Sequence, residues 1–324
     1  MPGPLHGTKV FDLTGHGVGP WATMILAAMG ADVIKIESEQ RVLTAGRGDS
    51  ATYRGLGTLY MHCHLGKKGV YIDLKTPAGQ KSAYKLLADA DVFVENMKFG
   101  SVERLGLGYN EVSKLNPGIV YGNFPGWGSS GPLRERGSVD PIAQAFAGPA
   151  AITGTAGGKA EILRWLGLHD FSTSSYIVAT TLLGILHKDR TGNGIQMESA
   201  QQAATIAIQS SRIAEFLATG ETVPRMGSAA TTTVPHRAFQ CSDKKWLAVG
   251  VVTDVQWRRL CVAINAHDLL HDPDLATNRG RVANRAKVDE GIQDILDQKP
   301  AQWWIIQLRK NKVPVSLFHD KSTI

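Results

Sequence analysis

The chain has 324 residues, 43% hydrophobic and 20% charged, which is enough apolar side chain for a large core and excludes a disordered protein. Its formal net charge of +6 attracts anions in general, but no run of five Lys/Arg occurs and aromatics do not interleave with basic residues, so no nucleic-acid partner is expected. The absence of a charged-then-apolar leader and of a bilayer-length apolar stretch predicts a soluble, cytoplasmic protein with no membrane partner, and the scattered Cys63, Cys241 and Cys261 indicate neither a disulfide framework nor a zinc ribbon.

Strand-like and helix-like patterns alternate from the N-terminus. Residues 10–13 read as a strand running into the turn Thr14-Gly15-His16-Gly17-Val18-Gly19-Pro20, and Pro20 suits a helix start, where its missing N–H would be unpaired anyway. A helix to about residue 28 follows, Gly30 suits its left-handed cap, and Asp32–Glu37 is the next strand. The glycine turn can bring main-chain N–H groups close to a ligand. With Glu37 about twenty residues further on it imitates a dinucleotide fingerprint, but the glycine spacing does not match one. His62-Cys63-His64 suggests a metal cluster, yet histidines two apart share a face only in a strand and no carboxylate lies nearby, so no metal is expected.

Further strands are predicted over 70–74, 91–95 and 119–123, with a helix opening at Thr76-Pro77 and another over 102–115, ended by Asn116-Pro117. Glycine-rich turns occupy 126–131, a helix covers 141–146, and a loop over 154–159 leads toward Asp170. This succession predicts an α/β fold with a Rossmann-like, doubly wound parallel sheet. Strands over 238–241 and 246–252, with helices over 254–265 and 288–296, predict a smaller α+β domain, so the chain is read as a large domain over 1–224 and a small one over 225–324.

Asp170, in Leu168-His169-Asp170-Phe171-Ser172, precedes a helix whose Ile177, Leu182, Ile185 and Leu186 keep helical spacing. Two readings stand side by side. As the helix N-cap, Asp170 would do no more than satisfy main-chain N–H groups of the first turn. Alternatively, the helix N-terminus lowers its pKa and keeps it ionised as a nucleophile. His16 and His169 flank the two loops, where either could assist proton transfer or cap a strand end.

A set of motifs runs through the chain: Val10-Phe11-Asp12-Leu13-Thr14 with Gly19-Pro20-Trp21; Gly30-Ala31-Asp32-Val33-Ile34-Lys35-Ile36-Glu37; Lys67-Lys68-Gly69-Val70-Tyr71-Ile72-Asp73-Leu74-Lys75; and Ala90 to Asn96. Glu103-Arg104-Leu105-Gly106-Leu107-Gly108-Tyr109, Gly128-Ser129-Ser130-Gly131-Pro132, Asp140 with Gln144, Asp170, and Arg190-Thr191-Gly192-Asn193-Gly194 continue it. From residue 5 to about 318 this set resembles the family III CoA-transferases.

The resemblance implies that Asp170 is the covalent nucleophile and that His16, Gly17, Val18, Asp140 and His169 form the oxyanion and acyl pocket. It implies further that coenzyme A, as the acyl-CoA substrate, is held by the glycine turn with Lys75, Asn96, Met97, Lys98, Arg104, Leu105 and Arg136. The partners implied are an acyl-CoA, a free carboxylic acid and a second copy of the chain in an interlocked homodimer. Aspartyl anhydride and aspartyl-CoA thioester intermediates would exchange one thioester for another without ATP.

The same fold serves α-methylacyl-CoA racemases, but Val139 stands where their histidine falls, which ranks that activity second, ahead of a non-catalytic acyl-CoA-binding paralogue. Gly17 and Ser38 depart from the oxalate-specific members, and residues 226–234 lack their glycine-rich loop, so oxalate is not the expected acid. His169 replaces the glycine that usually precedes the aspartate, and the family's C-terminal return segment is expected to be absent after Ile324.

Overall fold

The computed structural model describes residues 2–39, 51–164 and 167–322. The chain forms two compact units, Met1–Ala150 with Ile162–Gly220, and Ala151–Glu161 with Glu221–Ile324. The sequence reading left 151–161 with the first domain. In the structure this stretch is tied to the second unit by Arg225, which donates to the carbonyl oxygens of Ala151 and Gly158.

The first unit is built on six strands, β1 Lys9–Asp12, β2 Asp32–Glu37, β3 Lys68–Tyr71, β4 Val92–Glu95, β5 Val120–Asn123 and β6 Ile195–Glu198. Their order is β3-β2-β1-β4-β5-β6 and every neighbouring pair is parallel, so the chain reverses direction across the sheet between β1 and β4. Its helices are α1 Val18–Ala28, α2 Thr58–Cys63, α3 Pro77–Ala88, α4 Ser101–Arg104, α5 Tyr109–Leu115, α6 Asp140–Ala147, α7 Leu168–Thr191, α8 Gln201–Ala207 and α9 Ser210–Thr219.

Alternation along the strands sends side chains to two separate cores. Phe11, Ile36, Phe93 and Tyr121 meet Ala83, Leu87, Val102 and Val112 from α3, α4 and α5. Val10, Val33, Val92 and Val120 meet Ala22 and Leu26 of α1 and Ile177 and Val178 of α7. Burial on both faces explains the near-continuous apolar runs of the inner strands.

The single helix expected over 102–115 is two short ones, because Gly106 takes φ 73° and Gly108 stays extended. Strand β3 begins and ends earlier than expected, and β6 was not anticipated, since Ile195-Gln196-Met197-Glu198 is an edge strand with alternate residues exposed.

In the second unit, β7 His236–Gln240, β8 Trp246–Gly250 and β9 Val315–Leu317 form an antiparallel sheet in the order β9-β8-β7. Leu247 and Val249 pack with Trp257 and Leu260 of α10 (Asp254–Ala263), Ile292 of α11 (Arg285–Leu296) and Leu308 of α12 (Ala301–Lys310). A capping box of Thr253 and Gln256 starts α10.

Candidate active site

Strand β1 ends in Asp12, which is fully buried. Its carboxylate accepts hydrogen bonds from Thr14 N at 2.9 Å, Thr14 Oγ1 at 2.6 Å and Thr23 Oγ1 at 2.6 Å, and from Lys67 Nζ at 3.0 Å. Lys35 Nζ lies 3.6 Å away and donates to the Thr14 carbonyl at 2.5 Å. Burial alone would raise the Asp12 carboxyl, but the two lysines and two threonines hold it well below the usual carboxylate range. This ionic knot fixes the underside of the glycine turn.

The turn is clamped from above by Asn96, whose side chain accepts from Gly15 N at 2.7 Å and donates to Gly15 O at 2.9 Å. His16 is exposed, with φ 62°. A Cβ on Gly19 would lie 2.4 Å from Thr14 Cβ, so only glycine lets α1 start so close to the strand. Lys67 Nζ also reaches Pro20 O, at 2.8 Å.

Asp170 meets this turn. Ser174 Oγ donates to Val18 O at 2.6 Å, and a Cβ built on Gly17 would lie 3.3 Å from Asp170 Oδ2. The Trp21 ring centroid is 3.6 Å from that of Phe171 and 4.6 Å from that of His62. Of the residues expected at the pocket, Gly17 and Val18 at the α1 start, Asp140 of α6, and His169 and Asp170 at the α7 start thus come together, while His16 stands exposed on the turn.

The N-cap expectation is corrected by the helix itself. Helix α7 begins at Leu168 with Gly167 as its N-cap, so Asp170 is its third residue. Asp140 Oδ2 accepts from His169 N at 3.0 Å and Asp170 N at 3.2 Å, taking up the free N–H groups of the turn. Asp140 is itself bonded by Gln144, whose amide also pairs with both main-chain groups of Leu163.

The expected depressed pKa is corrected too. Burial, reinforced by the charge of Asp140 and opposed by a hydrogen bond from Gln201, pushes the Asp170 carboxyl up to about 7. The N–H groups that would have held it ionised are already spent on Asp140. His169 stands inside α7, not at a strand end; it is 3% exposed, burial pushes its imidazole below the ordinary value, and its Nδ1 has no hydrogen-bond partner.

Gln201, at the start of α8, was not singled out from the sequence. Its Nε2 donates to Asp170 Oδ1 at 2.5 Å and its Oε1 accepts from Ser138 Oγ at 2.7 Å. The available signal was its place just after a strand end, on the edge where doubly wound sheets put their sites. Asp12, Lys35 and Lys67 were quoted only inside motifs, since linear spacing does not reveal that the end of β1, the middle of β2 and the residue before β3 send their side chains to one point.

Beyond the turn, a cleft of about 160 Å3 opens at the carboxyl ends of the strands, lined by Leu13, Ile36, Ile72, Leu74, Met97 and Leu105 with Glu37, Ser38, Asp73 and Lys75. Lys75, Lys98 and Arg104 are exposed and follow or precede the lining residues Leu74, Met97 and Leu105 directly in sequence. The result is an apolar slot with cationic neighbours. Glu95 N-terminal to this segment is buried, its carboxyl pushed up to about 8 by that burial, and it accepts from Met97 N at 2.7 Å. Arg136 lies apart from the slot lining, on an exposed turn.

His62 and His64 lie on and beside helix α2 and make tilted ring contacts with different partners, Trp21 and Tyr60. Among the described residues no group of three or more His, Cys, Asp or Glu is placed to hold a metal, and no helix is long and apolar enough to cross a membrane.

The model of CoA-transferase family III matches residues 5–324. The chain belongs to that family. It is 30% identical to the human succinyl-CoA:glutarate CoA-transferase over 99% of this chain and 73% of that one. The acetyl-CoA:oxalate CoA-transferase of Acetobacter aceti is 30% identical over 98% of this chain and 81% of that one. A CAIB/BAIF family protein from Brucella suis superposes with a TM-score of 0.87 at 28% identity, covering 100% of this chain and 86% of that one. This family III member is therefore a CoA-transferase enzyme built on a mixed α/β fold.

Proposed function

We propose that this CoA-transferase moves coenzyme A from an acyl-CoA to a free carboxylic acid through covalent intermediates on Asp170. The observation that carries the reading is the placing of a half-buried carboxyl, Asp170, against Gly17 of the glycine turn, the turn that follows the cleft residue Leu13 in the chain. With a pKa of about 7 it is more basic than an ordinary carboxylate and still ionised in a large fraction of molecules at neutral pH.

Asp170 attacks the thioester carbonyl, giving a mixed anhydride and CoA thiolate. The thiolate attacks the aspartyl carbonyl, releasing the donor acid and leaving an aspartyl-CoA thioester. The acceptor acid reverses both steps. On this reading the adenine ring takes the slot of Leu74, Met97 and Leu105, with the exposed Lys75, Lys98 and Arg104 beside it for the phosphates, and Arg136, apart from the slot, has no part in that contact. In this reading the main chain of Gly17 and Val18 receives the thioester oxygen, and Asp140 and His169 are the neighbouring wall.

The active unit is a cytoplasmic homodimer. In its favour, α9 has no buried residue and exposes Phe216 and Leu217, while α7 exposes Leu183 and Leu186. A short dicarboxylic acid is the first acceptor to test, because the human relative is named for succinyl-CoA and glutarate.

The decisive experiment incubates the protein with succinyl-CoA, then hydroxylamine or borohydride, and maps the adduct by mass spectrometry. Modification of Asp170, and loss of transfer in Asp170→Ala, are expected. An unmodified Asp170 together with an active alanine variant would remove the covalent reading.

A further inference from the structure

We propose that Gln201 is a catalytic residue, the donor that stabilises charge developing on Asp170 Oδ1 and fixes which carboxyl oxygen reacts; this rests on the covalent reading above. Gln201 is 5% exposed, and its Nε2 lies 2.5 Å from Oδ1. The ionised carboxylate only accepts, so it sets the amide orientation: a flipped amide would turn its carbonyl toward Oδ1, whereas the Ser138 hydroxyl, 2.7 Å from Oε1, pairs with the far end of the amide and holds it in place.

The two oxygens of Asp170 are therefore unlike. Oδ1 is held by an amide N–H from α8, whereas Oδ2 faces Gly17 across the space where the Cβ of any other residue would come within 3.3 Å.

This asymmetry assigns each oxygen a part. Oδ2 attacks the thioester carbon, forming the new C–O bond as the C–S bond breaks and CoA leaves as thiolate. Oδ1 is then the carbonyl oxygen of the aspartyl half of the anhydride. When the thiolate attacks Asp170 Cγ, the C–S bond forms and the carbonyl π pair moves onto Oδ1, where Gln201 Nε2 already points. Collapse returns that pair, breaks the bond from Cγ to Oδ2, and sends Oδ2 away in the departing donor acid. The acceptor carboxylate later supplies the replacement oxygen at the same place, and Oδ1 is never exchanged.

Isotope labelling reads this directly. The protein turns over repeatedly with acyl-CoA and an excess of acceptor acid carrying heavy oxygen at both carboxyl positions, and the Asp170 peptide is weighed. One heavy oxygen per Asp170 is expected, however long the incubation. Two would overturn the role of Gln201 while leaving covalent catalysis in place. None would overturn the covalent reading and this inference with it.

Gln201→Met, which keeps the length and removes the donor, is expected to lower kcat about a hundredfold at an unchanged KM for acyl-CoA and to let the second oxygen exchange. A kcat within about twofold of wild type, with one oxygen still exchanged, would overturn the proposal. If this variant fails to fold, the wild-type labelling result decides alone.

Discussion

The carboxylate of Asp140 accepts the main-chain N–H groups of both His169 and Asp170, so the helix that carries Asp170 is capped by a residue from another helix. The same carboxylate is a negative neighbour that helps raise the Asp170 pKa. Asp140→Ala should therefore cost about 1 kcal/mol of stability through the lost cap. It should also lower the Asp170 pKa, by freeing two N–H groups and removing a charge. The pH midpoint of hydroxylamine trapping at Asp170 should move toward acid. A midpoint that stays put would separate the cap from the titration.

The raised pKa of Asp170 has a signed effect on stability. Its folded value of about 7 lies above the ordinary 3.8, so between them the folded chain binds more protons than the unfolded one. Stability contributed by this group is complete below the unfolded value and is lost as pH rises through the folded one. Asp170→Asn should thus be more stable than wild type above about pH 8 and lose that advantage on acidification toward the unfolded value. Thermal melts of both proteins across this range test the sign.

Activity should follow the same titration in the opposite sense. On the proposed mechanism the ionised form of Asp170 attacks, so kcat/KM should rise with pH and level off above about 7, the value to which burial pushes this carboxyl. A profile already flat near the ordinary carboxylate value would mean that another group limits the first step.

Lys67→Met would remove one of the two cations that balance the buried Asp12. Removing one partner of a buried ion pair costs about 3 kcal/mol or more. A clear fall in the melting temperature is expected, and Lys67→Met with Asp12→Leu should recover part of it, as a double-mutant cycle would record.

At the cleft, Lys75→Ala and Leu105→Glu should each weaken CoA binding about tenfold, the first by removing a cation from the rim and the second by placing a charge in the apolar slot. Calorimetric titration with CoA measures both. Neither substitution touches Asp170.

The parallel sheet was legible because its inner strands are short apolar runs set between glycine and proline punctuation. The edge strand Ile195–Glu198 escaped notice because its alternate residues are exposed. Asp170 could be found in the sequence, but its electrostatics could not. A lone carboxylate in the first turn of a helix reads as an N-cap until the tertiary fold reveals that Asp140 already fills that place. Gln201 meets Asp170, and Ser138 meets Gln201, across long sequence separations that only the packing of α6, α7 and α8 closes. The six apolar cleft residues come from four strand ends and a helix terminus, and their convergence is a property of topology.

The knot at Asp12 and the carboxyl of Asp170 respond to acid at opposite ends of the scale. One is held far below the ordinary carboxylate value and the other is raised to about 7. Mild acidification should therefore protonate Asp170, the proposed nucleophile, while the ion cluster beneath the glycine turn keeps its charge. Turnover lost on mild acidification should then return at neutral pH without any refolding delay, because the platform beneath the glycine turn keeps its ion pairs.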